Sequence, residues 1–393
     1  MPVYLDHAAT TPMRPEAIAA YTEAMGVVGN PSSIHSQGQQ ARRMLEEARE
    51  TVAATLGADP IEVVFTSGGT EAINLAIKGM YWARNDGGRR PRILVPGGEH
   101  HATVDTVEWL HHAEGAAVSW LPLDGQGRIA VPEALVGDDA ALLTFLAVNN
   151  EVGTVQPVRA LAAVAREAGV PVHVDAVAAY GHLPLDFGAL GVDALSVSAH
   201  KIGGPVGIGA LVLSRTSTVV PLIHGGGQQR QVRSGTQDVA AAVSFAVAAR
   251  LAEQEREAES ARLAGLRDRL IAGIRATVPE AVLSGPEPSS GERVASNAHF
   301  TFPGAQGDSL LFLLDLAGLS VSTGSACQAG IPEPSHVLLA MGRDQAEARS
   351  ALRFTLGRAS TEEDVDALLA ALPSAYAQAS RAGLAERTTR LGR

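Results

Sequence analysis

Cysteine and lysine are both scarce in this chain. One cysteine, Cys327, stands among 393 residues. It excludes an internal disulfide and any multi-cysteine zinc or iron–sulfur site. Lysine occurs only as Lys78 and Lys201, the other basic residues being arginines. Lysine condenses with an aldehyde and arginine does not, so imine chemistry falls to one of two side chains. Aromatic residues are few, and the apolar content is Ala, Val and Leu, as ordinary α/β packing requires. No apolar run is long enough to span a bilayer. The N-terminal Met-Pro-Val-Tyr-Leu-Asp lacks the basic and apolar regions of a signal peptide. The formal net charge of −11 argues against a nucleic-acid footprint. No companion His/Asp set stands at metal-ligand spacing, so no metal is expected. A cytoplasmic, soluble protein with no membrane partner is expected.

What is present is alternation. Pro15 is placed to open a helix over Glu16–Met25, and Gln39–Leu56 reads as a long amphipathic helix closed by Gly57. Strands are expected at 62–66, 92–95, 117–121, 142–148, 172–175, 194–197 and 208–213, with helices at 70–83, 102–112 and 159–168. This predicts a large, doubly wound, mostly parallel sheet with ligands at the strand C-terminal ends. A long helix, 239–276, leads to strands at 297–302, 319–322 and 352–355 and helices at 309–316, 333–341 and 362–372, a smaller α+β unit. The expected division is 16–250 for the large domain, with 1–15 and 251–393 forming the small one. The basic, polar tail from Arg381 is expected to be disordered.

The chemistry centres on Leu195-Ser-Val-Ser-Ala-His-Lys201-Ile-Gly-Gly-Pro-Val-Gly207. An apolar strand runs into His-Lys, and a Gly/Pro loop follows. Lys78 sits in a helical pattern where a solvated charge is expected, so Lys201 is the candidate. Its amine can join an aldehyde cofactor while Ser198 and His200 hold a phosphate, as pyridoxal phosphate requires. Thr66-Ser-Gly-Gly-Thr70-Glu follows a strand and opens a helix. It is an anion site or a plain connection with Thr70 as cap. Asp175 ends an apolar strand. A buried carboxylate needs a partner, which a protonated pyridine nitrogen supplies; the alternative is a turn-capping Asp. Within Glu99-His-His101, a ring can stack on a flat cofactor and move protons, or cap a helix. Cys327 lies among small residues, Ser322-Thr-Gly-Ser-Ala-Cys-Gln-Ala-Gly330, that give a nucleophilic thiol access. Arg353, within an apolar strand, needs an anion, either a ligand carboxylate or an internal partner. The polar loop His224 to Thr236 has the length to reach a neighbouring subunit or a ligand.

These residues together resemble the cysteine desulfurases of the NifS/IscS type, fold-type I, class V enzymes that use pyridoxal phosphate. The match includes Tyr4-Leu-Asp-His-Ala-Ala-Thr-Thr-Pro12, Gly29-Asn-Pro-Ser-Ser, Phe65-Thr-Ser-Gly-Gly-Thr-Glu71, Glu99-His100, Val148-Asn-Asn-Glu-Val-Gly153, His173-Val-Asp-Ala176, Ser198-Ala-His-Lys201, Arg233-Ser-Gly-Thr236, Gly324-Ser-Ala-Cys327 and Arg353-Phe-Thr-Leu-Gly-Arg358. The resemblance implies roles. Lys201 would be the Schiff-base lysine. Gly69, Thr70, Ser198 and His200 would bind phosphate, with Thr236 supplied by the other subunit of a homodimer. Asp175 would pair with the pyridine nitrogen and His100 stack on the ring. Asn150 and Arg353 would hold the substrate carboxylate, and Cys327 would carry the persulfide. The implied reaction turns L-cysteine into L-alanine and passes sulfur to an iron–sulfur scaffold or a thiolation enzyme. One position departs: the family usually has Gln three residues after the pyridine Asp, and here Ala178 stands there. That change keeps a second reading open, a lyase, epimerase or aminotransferase-like enzyme on the same cofactor.

Overall fold

The computed structural model describes residues 2–85, 90–130, 137, 139–324 and 333–390, with only the backbone of 382–390. In chain order the strands are β1 (Val3–Tyr4), β2 (Val63–Thr66), β3 (Arg92–Pro96), β4 (Ala117–Leu121), β5 (Ala140–Leu146), β6 (Val172–Asp175), β7 (Ala194–Ser198), β8 (Gly209–Leu213), β9 (Val282–Leu283), β10 (Asn297–Thr301), β11 (Leu319–Ser320) and β12 (Ala351–Thr355). The helices are α1 (Pro15–Met25), α2 (Ser36–Thr55), α3 (Gly69–Asn85), α4 (His101–Glu114), α5 (Val158–Glu167), α6 (Phe187–Leu190), α7 (Val239–Thr277), α8 (Gly307–Leu316), α9 (His336–Ala340), α10 (Gln345–Arg349) and α11 (Glu362–Arg390).

A seven-stranded sheet has the order β2-β8-β7-β6-β5-β3-β4. Strand β8 runs antiparallel to both neighbours, and the remaining pairs are parallel. Strand β2 therefore points the same way as β7. Every residue of β5, β6, β7 and β8 is buried, as a sheet covered on both faces demands. Edge strand β4 is largely exposed or half-buried. The large core gathers Phe65, Phe145, Tyr180 and Phe245. Each such side chain contributes roughly 1.5–3 kcal/mol on burial.

A second core joins Leu5 to residues 263–379, under the antiparallel sheet β12-β10-β9. Helix α7 serves both: its Ala241–Ala252 stretch packs in the large core, and Leu263–Ile274 in the second. The N-terminal arm also reaches both. Strand β1 pairs in parallel with β11, and the Arg14 N–H then bonds to the Gly203 carbonyl at 2.8 Å. Helix α11 continues to Arg390, which corrects the expectation of disorder from Arg381. Ala382, Leu384, Ala385, Glu386 and Arg387 are good helix formers and carry the element on. No helix among the described residues is long and apolar enough to cross a membrane.

Candidate active site

Because β2, β3, β5, β6 and β7 point one way, their C-terminal ends meet at one edge of the sheet. Each end delivers polar residues. A cavity of about 340 Å³ opens there. Strand β2 delivers Gly69 and Thr70, β3 delivers His100, and β5 delivers Asn150. Strand β6 ends on Asp175, and β7 delivers Ser198, His200 and Lys201. The far wall comes from the arm, at His7, Ala8, Ala9 and Thr11, and from Glu255 and Glu259 of α7.

Lys201 closes a short 3₁₀ turn, Ala199–Lys201. Its ammonium donates to the carbonyls of Ala8 and Ala9, the latter at 2.9 Å. Burial lowers its pKa to about 8, helped by Arg353 and opposed by Asp175 and Asp6. The amine is therefore half neutral near pH 8 in the cofactor-free protein. Asp175 is 2% exposed. Its Oδ1 accepts the Val177 N–H at 2.9 Å, so it caps a turn as well as facing the cavity. Burial raises its carboxyl to about 6, against the Val177 bond and Lys201. His100 does two things as well: its ring lines the cavity, and its Nδ1 accepts the Ala102 N–H at 3.0 Å at the start of α4. Burial, then Lys201, holds both His100 and His200 down to about 4, so these rings are neutral at pH 7.

The β2–α3 loop has the form of an anion cradle. Gly68 takes φ 152°, which favours glycine. A Cβ on Gly69 would lie 2.8 Å from Val177 Cγ2 and 3.6 Å from Ser198 Cβ, so the loop lies hard against β6 and β7. Helix α3 begins at Gly69, which places Thr70 in the first turn rather than at the cap. Glu71 accepts the Ser67 N–H at 2.7 Å and pairs with Arg233 at 2.9 Å, locking the loop. Hydroxyl, ring and amide donors, a buried carboxylate and a lysine of lowered pKa thus face one cavity. That donor set fits a phosphorylated pyridine aldehyde.

Other expected residues stand apart. Arg353 is 5% exposed and is not on the cavity wall. Its Nη2 donates to Asp6 Oδ1 at 2.8 Å and its Nη1 to the Asn150 carbonyl at 2.9 Å. Thr236 is exposed and does not line its own chain's cavity. The loop before it turns through left-handed Gln229, Arg230 and Gln231 without a glycine there. Gln229 holds it on β2, bonding Phe65 N–H and C=O at 2.7 Å each. Cys327 lies outside the described residues. Ala178 is half-buried on the wall, an apolar group at that point. Sequence reasoning assigned no role to the arm between Asp6 and Thr11. Its signal was the motif Tyr4 to Pro12, whose letters do not encode what the segment touches.

The Aminotransferase class-V family model matches residues 3–368. An IscS-like cysteine desulfurase of Mycobacterium tuberculosis is 55% identical over 387 residues, covering 97% of this chain and 98% of the relative. A cysteine desulfurase IscS of Methanosarcina thermophila is 41% identical, covering 94% and 91%. Among solved structures, a NifS-like protein superposes with a TM-score of 0.87 at 35% identity, covering 95% of this chain and 99% of the other. A structure of SspA in complex with cysteine gives a TM-score of 0.77 at 33% identity, covering 90% and 98%.

Proposed function

We propose, because the chain belongs to the class V aminotransferase family and is a cysteine desulfurase of the NifS/IscS type, that Lys201 and Cys327 divide the reaction between them. Members of this family use pyridoxal phosphate generally. When bound, it supplies an aldehyde that captures an amine and a ring that accepts electrons. The observation that carries the assignment is the convergence of Lys201, Asp175, Thr70, Ser198, His200 and His100 on one cavity.

Gly69, Thr70, Ser198 and His200 would hold the phosphate, and Asp175 would pair with the ring nitrogen and keep it protonated. His100, on the cavity wall, would stack on the ring face. Asn150 and Arg353 orient the carboxylate of L-cysteine. The Lys201 amine takes the Cα proton. The Cys327 thiolate attacks the substrate sulfur; the C–S bond breaks with its electron pair left on Cβ, and Cβ takes up a proton and Cα regains one. L-alanine leaves, and Cys327 keeps the extra sulfur as a persulfide for an acceptor protein, such as an iron–sulfur scaffold or a thiolation enzyme. Thr236 completes the phosphate site of a second copy in a homodimer, for which its exposure on its own chain leaves it free. The relatives do not favour the lyase, epimerase or aminotransferase-like reading.

Mass spectrometry after L-cysteine addition, beside an alanine assay, tests this. One added sulfur on Cys327 with alanine released is expected. Cys327→Ser loses the added mass and sulfur transfer by roughly 10²-fold or more. Full sulfur transfer by Cys327→Ser would remove the thiol from the mechanism.

A further inference from the structure

The arm segment Asp6–Thr11 touches three of the residues assigned above. Asp6 pairs with Arg353, the carbonyls of Ala8 and Ala9 hold Lys201, and Thr10 Oγ1 lies 3.2 Å from His200 Nδ1. The segment is anchored on β12: the Ala8 N–H donates to Thr355 Oγ1 at 2.8 Å, and the Thr355 N–H to the Leu5 carbonyl at 2.7 Å. The Tyr4 hydroxyl, 3.0 Å from the Asp6 carbonyl and 2.9 Å from that of Thr10, draws the segment into a closed turn. Movement at Asp6 is therefore felt at Ala8 and Ala9.

Arg353 is only partly satisfied. Its buried Nε has no partner among the described residues, and neither does the buried side-chain oxygen of Asn150 beside it. Its strongest partner is a carboxylate from its own chain. The Asp6–Arg353 side chains are 21% and 6% exposed, so the pair is little screened by solvent. A guanidinium that must receive a substrate carboxylate thus already holds one. We propose that Asp6 is an internal stand-in for that carboxylate. L-cysteine displaces it from Arg353, and the displacement loosens the arm, whose Ala8 and Ala9 carbonyls hold the Lys201 amine when it is not joined to the cofactor. Substrate recognition at Arg353 and loosening of the arm beside Lys201 are then one event. The inference rests on Arg353 as the carboxylate site.

The test compares L-alanine with ethylamine, the same amine without the carboxylate, as inhibitors of the holoenzyme. Asp6→Asn keeps a hydrogen-bond acceptor but removes the competing charge. It lowers the KM for L-cysteine and the inhibition constant of L-alanine about tenfold, the scale of one charge-assisted hydrogen bond, and leaves ethylamine unchanged. Asp6→Glu returns both values toward wild type. A KM that rises or stays put in Asp6→Asn overturns the inference. Arg353→Gln separates it from its premise. If Arg353→Gln still prefers L-alanine to ethylamine, the carboxylate site itself is wrong. If that preference is lost while Asp6→Asn changes nothing, only the stand-in role fails. A measurement on unmodified holoenzyme covers the case of a variant that does not fold. Hydrogen exchange at Ala8 and Ala9 rises with saturating L-alanine and not with ethylamine; equal exchange with both overturns the proposal.

A second readout uses the cofactor-free protein. The charged or titratable groups acting on Lys201 are Asp6 on the arm, His100 at α4, Asp175 at β6, neighbouring His200, and Arg353 on β12. Asp6 raises the Lys201 pKa and Arg353 lowers it. Removing the Asp6 charge shifts the midpoint for capture of pyridoxal phosphate by Lys201 to lower pH. A midpoint that stays or rises counts against the coupling.

Discussion

Lys201→Ala stops alanine formation from L-cysteine, a loss of at least ~10³-fold, and the variant retains no covalently attached aldehyde after borohydride reduction. Two lysines exist, and the second is committed elsewhere: Lys78 Nζ sits 4.3 Å over the Trp109 ring, away from the cavity. No second lysine lines the cavity to stand in for the lost amine. Lys201→Arg fares no better, because a guanidinium keeps its proton at any working pH and cannot condense with an aldehyde. The wild-type amine is suited to both tasks by its surroundings. Burial holds its pKa near 8, so the cofactor-free protein captures pyridoxal phosphate faster as pH rises through about 8, and the rate then levels off. Capture with a midpoint near the ordinary lysine value, about 10.4, would mean that the site does not activate Lys201. Ethylamine added to Lys201→Ala restores part of the Cα proton transfer if the amine acts as a base. Full activity in Lys201→Ala would displace the residue from the mechanism.

How much of this was legible depends on the range of the interaction. Lys201 was readable because its setting is local: an apolar strand, a hydroxyl residue, His-Lys and glycines within a dozen positions. Asp175 was readable from four letters, Val-His-Val-Asp, and β6 spans those residues. The burial of β5 through β8 followed from their mainly apolar residues, with Thr144, His173, Asp175, Ser196 and Ser198 as the polar exceptions. Arg353 was readable as a cation in need of an anion, but its anion is Asp6, 347 residues away. No periodicity encodes that distance. The same holds for Lys201 on Ala8 and Ala9, and for His173, which bridges Thr144 and Ser196 at 2.8 Å each across β5, β6 and β7. The left-handed turn at Gln229–Gln231 lacks the glycine that would have announced it. Strand β9, two residues long, carries no alternation to detect. The tail from Arg381, helical to Arg390, was misread because charge was weighed above helix propensity.

Asp175→Asn lowers turnover by roughly 10²–10³-fold, the usual scale for deleting one preorganised electrostatic contact, yet makes the cofactor-free protein more stable. The two effects share one cause. Asparagine is nearly the same shape and keeps the bond from the Val177 N–H, but it carries no charge. With pyridoxal phosphate bound, that charge keeps the ring nitrogen protonated, and an amide does not. Without it, a carboxylate that is 2% exposed is a cost. The sign follows from the titration. The folded-state pKa, about 6, lies above the ordinary 3.8. The folded protein therefore binds the proton more tightly than the unfolded chain between those values, and acid stabilises it at this residue. The destabilisation by Asp175 is fully present above about pH 6 and fades toward pH 4. The melting temperature of Asp175→Asn accordingly exceeds wild type by a few degrees at pH 7, on the scale of about 1–2 kcal/mol, and the gap closes as pH falls to 4. A gap independent of pH would assign the gain to packing. A variant less stable than wild type at pH 7 would mean that the cofactor-free protein already satisfies this carboxylate, and that it is not held ready for a cationic ring.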